Sequence, residues 1–186
     1  MATARAYPPV LEAPLGAAAL NDPLEYLKYE HFRQLVLCEL LGRIADDPYS
    51  ADAAHRIPWL RRYLTDELAL HVADEERDLM PLLDLRCNGG DALTEISDTL
   101  EHDHVSEERL RADVVGELTM LAAGKTLDRP LDFIVKALAF EEHLRRHLMW
   151  ENLTLMPLAR RRLTTGDLAT LGRNMARRHE RHDPGH

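Results

Sequence analysis

The chain has 186 residues, 45% of them hydrophobic and 30% charged, with 32 acidic against 23 basic side chains and a formal net charge of −9. That length suits one domain able to bury a core without staples, and the acidic balance argues against a nucleic-acid surface. Cys38 and Cys87 stand far apart, which argues against a disulfide framework. No apolar run reaches the length of a membrane span, and the cytoplasm is the expected location.

Residues 1–21 carry prolines and glycine without a period and read as an N-terminal arm. Asp22-Pro23-Leu24-Glu25 then announces a helix: Asp22 as N-cap, Pro23 at the first helical position, Glu25 completing a capping box. Leu24, Leu27, His31, Leu35, Cys38, Leu41 and Ala45 recur at helical spacing, so His31 sits mid-stripe. After the Asp46–Ser50 loop a second helix is expected from about Ser50 to Leu83, with Pro58 as a kink or restart and Pro81 as its close. Its inward stripe is Leu60, Leu64, Leu68, His71, Glu75, Leu79 and Leu82. Glu76 falls on the solvated side. Glu67 and Asp74 flank the stripe and read as surface charges or, alternatively, as groups that support the inward residues from behind.

A third helix is expected from about Asp91 to Ala123, ended by Gly124. Its apolar stripe places His104 near the centre and His102 almost opposite. Glu107 also points inward, and Glu108 lies one turn beyond His104. The fourth helix starts at Asp128-Arg129-Pro130 and runs to about Arg162, with Phe133, Ala137, Phe140, Leu144, His147, Glu151, Leu155 and Leu158 inward. His143 sits one turn before His147, toward the flank. A last helix follows Thr164, and the histidines from His179 to the end read as solvated. The expected organisation is an arm (1–21), an all-α, up-down-up-down antiparallel four-helix bundle (22–162), and a C-terminal helix with a polar tail (163–186).

One twelve-residue pattern occurs twice: HVADEERDLMPL from His71 to Leu82, and HLMWENLTLMPL from His147 to Leu158. Each reads His, three residues, Glu, an acidic or amide residue, three residues, Met-Pro-Leu. Residues four apart share a helix face, so each copy aims an imidazole and a carboxylate the same way. At about 1.5 Å rise per residue, His31 lies about 12 Å into its helix and His71 about 16 Å before the end of the next. His104 is about 18 Å into the third helix, and His147 and Glu151 lie roughly 14–20 Å before the end of the fourth. In an antiparallel bundle these six side chains meet in one layer. Left dry and unpaired they would be costly to bury, and a metal cluster satisfies them together.

These residues resemble the hemerythrin/HHE cation-binding family over about Asp22–Arg162. The resemblance implies a non-haem, carboxylate-bridged centre of two iron ions, with His31, His71, His104 and His147 as terminal ligands and Glu75 and Glu151 as bridges. Oxygen-carrying members place two histidines four apart on the third helix; here the second position is Glu108. That departure points to a more oxygen-rich site, with His102, Glu107, Glu108 and His143 as secondary metal candidates. Zinc or manganese would also satisfy these ligand types. The expected ligand is diatomic or peroxide: O₂ that is bound, stored or sensed, or peroxide or nitric oxide that an oxidoreductase turns over. The alternative is an iron-responsive module whose metal stabilises the bundle for a partner to read. Neither nucleic acid nor membrane is an expected partner, and the residues name no protein partner.

Overall fold

The computed structural model describes residues 20–182, all helical or loop, with no strand among them. Most of the N-terminal arm and the last four residues, with His186, lie outside the described part.

Helix α1 spans Pro23–Asp46. Asp22 caps it by accepting from the Glu25 N–H at 3.2 Å. The reciprocal half of the expected capping box is not formed, because the Glu25 carboxylate turns to Lys28 and Arg160 instead. Helix α2 is one continuous rod built from Ala51–Arg62, Tyr63–Glu67, Leu68–Asp74, Glu75–Leu79 and Met80–Arg86. The second and fourth of these segments are widened π turns. The rod therefore passes through Pro58, and Pro81 does not close it. A proline inside an α-helix donates nothing and its ring meets the carbonyl four residues back. At Pro81 the preceding π turn, closed by the Met80 N–H on the Glu75 carbonyl, takes up that mismatch.

Helix α3 spans Leu93–Ala122. Gly124, at φ 69°, ends it: the Gly124 N–H bonds the Leu121 carbonyl and the Lys125 N–H that of Met120, the paired closure that a left-handed residue after a helix permits. Helix α4 comprises Pro130–Trp150, the π turn Glu151–Leu155, and Met156–Arg162. Here too the turn is closed from the residue before a proline, Met156 to the Glu151 carbonyl. The twelve-residue sequence repeat is thus a structural repeat, each π turn opening at its glutamate and followed by Met-Pro.

Helices α1 and α3 each pack against both α2 and α4, which closes the four-helix ring. Helix α5, Thr165–His182, lies across α1 and α2. Its start carries a reciprocal box, Thr164 Oγ1 accepting from the Asp167 N–H while Asp167 accepts from the Thr164 N–H. Leu171 and Met175 are fully buried beneath it. Leu20, near the end of the arm, is buried too, and its carbonyl oxygen would stand 2.3 Å from a Cβ placed on Gly172.

The bundle holds two apolar cores rather than one. One gathers Leu37–Ala45 side chains with Leu60, Leu64, Val114, Phe133 and Phe140. The other gathers Leu24, Leu27, Leu79, Leu83, Leu100, Leu155 and Leu171. Every helix of the ring changes core within one layer: His31 falls between Leu27 and Leu37, His71 and Glu75 between Leu68 and Leu79, His104 between Leu100 and Val114. On α4 the change comes at Glu151, between Leu148 and Leu155, one turn after His147. The polar layer between the cores is the site.

Candidate metal centre

Six side chains converge in that layer, and all are buried: His31, His71, Glu75, His104, His147 and Glu151. Two overlapping groups have their ligand atoms within 4.8 Å of one another: His31, His71, Glu75 and Glu151, and Glu75, His104, His147 and Glu151. The two glutamates belong to both. Such sharing suits two cations side by side, with each carboxylate reaching both.

The distances say the same thing from another side. Nε2 of His31 stands 3.5 Å from Glu75 and 3.3 Å from Glu151. Nε2 of His71 and of His104 each stand 3.6 Å from Glu75, and Nε2 of His147 stands 3.1 Å from Glu151. These are close approaches of nitrogen to oxygen, yet none is aligned as a hydrogen bond. All four carboxylate oxygens of Glu75 and Glu151, and Nε2 of His31, His71 and His104, are buried without a hydrogen-bond partner. Lone pairs aimed at a shared space rather than at each other are what a cation requires. Left as they are, each would cost about 1–3 kcal/mol.

Charge within the cage is lopsided. Burial pushes the Glu75 carboxyl up, but His71, His104 and His31 outweigh it and hold Glu75 well below the usual carboxylate range. Burial and the neighbouring Glu75 charge push Glu151 well above it. Burial drives His71 down to about 3, so it offers a neutral imidazole with a free lone pair.

Outside the cage, the residue after each glutamate orients a histidine from a different helix. Asn152 gives its Nδ2–H to the Leu148 carbonyl, which leaves Oδ1 to accept from His31 Nδ1 at 3.1 Å. Glu76 accepts from His104 Nδ1 at 2.8 Å. With Nδ1–H committed to these acceptors, both rings turn Nε2 inward, where a cation would take the place of any Nε2 proton. His147 Nδ1 faces Asp103 at 3.5 Å. Burial pulls the His104 imidazole down, yet Glu75 and Glu76 raise it to about 9.

Among the secondary candidates, His102 and Glu108 are exposed and do not reach the cage. Helical phase explains His102, which faces away from the stripe that holds His104; Glu108, one turn past His104, falls at the flank of that stripe and is left exposed. His143 is buried but is turned aside: its Nε2 donates to the Asp103 carbonyl, and its Nδ1 accepts from Arg146. Its ring stacks 6.4 Å from that of His147. Glu107 does point inward; burial pushes its carboxyl up against the pull of His147 and His104. It lies outside both convergent groups.

Three surface assignments need correction. Asp74 is fully buried, held by Arg178 and by His179 Nε2 at 2.7 Å. His179 is correspondingly not solvated; its Nδ1 also contacts the Tyr26 hydroxyl at 3.3 Å. Glu67 accepts from the buried Arg33 at 2.7 Å, and Arg33 also pairs with Glu30. Helix α5 supplies the partners of Asp74 and helix α1 that of Glu67, and neither could be read from the periodicity of α2. The acidic or amide residue at the sixth place of the repeat was the one signal pointing to Glu76 and Asn152.

A four-helix bundle with a buried His/Glu cluster shared between two ligand groups defines a cation-binding helical protein. The family model for the Hemerythrin HHE cation binding domain matches residues 22–159, and the chain belongs to that family. Neither the curated proteins nor the solved structures yielded a match.

Proposed function

We propose that the cluster holds two non-haem iron ions and that the protein binds or reacts with O₂, peroxide or nitric oxide. The observation that carries this reading is the set of partnerless Glu75 and Glu151 oxygens, common to both ligand groups. Mixed imidazole and carboxylate donors suit both ferrous and ferric iron, so a bound pair would supply electrons and a position for a small ligand.

The chain's own residues do the rest. His31, His71, His104 and His147 present nitrogen from four directions, with Asn152 and Glu76 locking two of the rings. The apolar cores above and below keep water from the layer. Glu107 lies on the inner face of α3 one turn past His104, where burial pushes its carboxyl up. A carboxyl so close to the cage favours consumption of the oxidant over reversible carriage, since a carrier needs surroundings without groups that exchange protons. Metal analysis of fresh protein, with optical spectra before and after O₂, peroxide and nitric oxide, tests the proposal. Two iron ions per chain and a spectrum that does not revert when O₂ is removed are expected. Zinc alone would overturn it, and full reversal over repeated cycles would make the protein a carrier or sensor.

One observation favours a second reading, an iron-responsive module. Asp74, next to Glu75, is the anchor for Arg178 and His179 of α5. Metal-dependent packing of α5 could be read by a partner. Protease sensitivity of α5 that is the same with and without metal would remove this reading.

A further inference from the structure

The outward line of α4 is unlike an ordinary solvent face. Positions 131, 135, 138, 142, 146, 149 and 153 are all exposed, and at these spacings they form one stripe along the helix. Five of them are large and apolar: Leu131 is 75% exposed, Val135 65%, Leu138 57%, Met149 58% and Leu153 72%. Outward helix faces are usually charged, as α1 shows with Lys28, Glu39 and Arg43 in the equivalent line, where Phe32 is the one exposed large apolar residue. The two charged members, Glu142 and Arg146, sit at the stripe's middle.

The spacing has a further property. Its steps of four, three, four, four, three and four residues read the same from either end, with Glu142 at the centre. A face of that kind is self-complementary under a two-fold axis. Two antiparallel copies crossing at Glu142 would set Leu131 against Leu153 of the second copy, and Val135 against its Met149. Leu138 would lie on the aliphatic stem of the second copy's Arg146, whose guanidinium then falls one turn from Glu142. The pairing is reciprocal, so two opposite-charge contacts flank the axis and offset the approach of the two Glu142 carboxylates upon it. The five apolar side chains together expose on the order of 600 Å² per copy, near the roughly 800 Å² per partner of a standard interface. We propose that the protein is a homodimer joined through α4 about this axis. Nothing in the proposal depends on which metal the bundle binds.

Sedimentation equilibrium on the full-length, metal-loaded protein should give twice the 21.2 kDa chain mass. Leu138→Lys should give the chain mass with unchanged helicity and metal content. Glu142→Arg should weaken association at least tenfold, and adding Arg146→Glu should restore it. Register is read by mild oxidation of Glu142→Cys, whose new thiol would meet its own copy and give a linked dimer that the wild type does not. A wild-type monomer up to near-millimolar concentration would overturn the proposal. So would a dimer that survives Leu138→Lys, or Glu142→Cys that fails to cross-link. A monomer whose apolar stripe instead binds lipid vesicles would also overturn it.

Discussion

Asn152 touches no ligand space itself, yet it should set the affinity of the site. Asn152→Ala removes the acceptor of His31 Nδ1 in a layer where His31 is 1% exposed, so water cannot replace it. A buried donor left without a partner costs about 1–3 kcal/mol, and the ring loses the contact that holds Nε2 toward Glu75 and Glu151. Orienting partners of metal-bound histidines are worth about 10–100-fold in affinity, which is roughly 1.4–2.7 kcal/mol and agrees with the hydrogen-bond figure. The metal-free fold should suffer less, because alanine is the better helix former by a few tenths of a kcal/mol. Chelator competition reads the affinity, and melting curves with and without metal separate the two effects. Asn152→Asp keeps an acceptor and should stay within a few-fold of wild type. Wild-type affinity in Asn152→Ala, or equal losses in the Ala and Asp variants, would refute the orienting role.

Four further outcomes follow from the same geometry. His71→Ala and His147→Ala should each lower bound metal below about two ions per chain and lower the melting temperature of the loaded protein, as ligation and folding are linked; full retention in both would sink the cage. His104→Ala should change the metal spectrum while His102→Ala, on the exposed side, leaves it unaltered, and absorption titration with added metal decides between them. Gly172→Ala places a methyl against the Leu20 carbonyl, so α5 should loosen and its amides exchange faster; unchanged exchange would contradict the close approach. Asp167 is held below the ordinary carboxylate range by Arg86 and Thr164, and Asp91 by Arg162 and the Asn88 N–H. A depressed folded pKa stabilises the fold above the unfolded value near 3.9 and is lost as pH falls through the folded one. Acid should therefore release α5 below about pH 4, earlier in Asp167→Asn, as followed by proteolysis of the C-terminal helix.

The site was legible because its chemistry is periodic. His71 with Glu75, and His147 with Glu151, fall one turn apart within apolar stripes, and rise per residue alone put them level with His31 and His104. The same argument separates His104 from His102. Periodicity failed where the helix is not α. It read Pro81 as a helix end, while the structure absorbs that proline in a π turn that starts at Glu75. Beyond the turn Leu83 is buried and Leu82 only partly so, whereas at the equivalent places of the second copy both Leu158 and Ala159 are buried, because the neighbouring helices cover the two ends differently.

Local sequence thus determined the four helices, their caps at Asp22 and Gly124, and the inward phase of the six convergent residues, because each depends on neighbours within about one turn. Tertiary structure alone decided what surrounds them. Whether Glu76 is a solvated charge or the acceptor of His104 depends on α3 lying beside α2. Whether Asp74 is surface or core depends on α5 arriving from about a hundred residues away with Arg178 and His179. Glu107 and Glu108 are adjacent and chemically alike, and only the packing of α3 buries the first and exposes the second. A side chain's period tells which way it points; what it meets there is settled by the helices that pack against it.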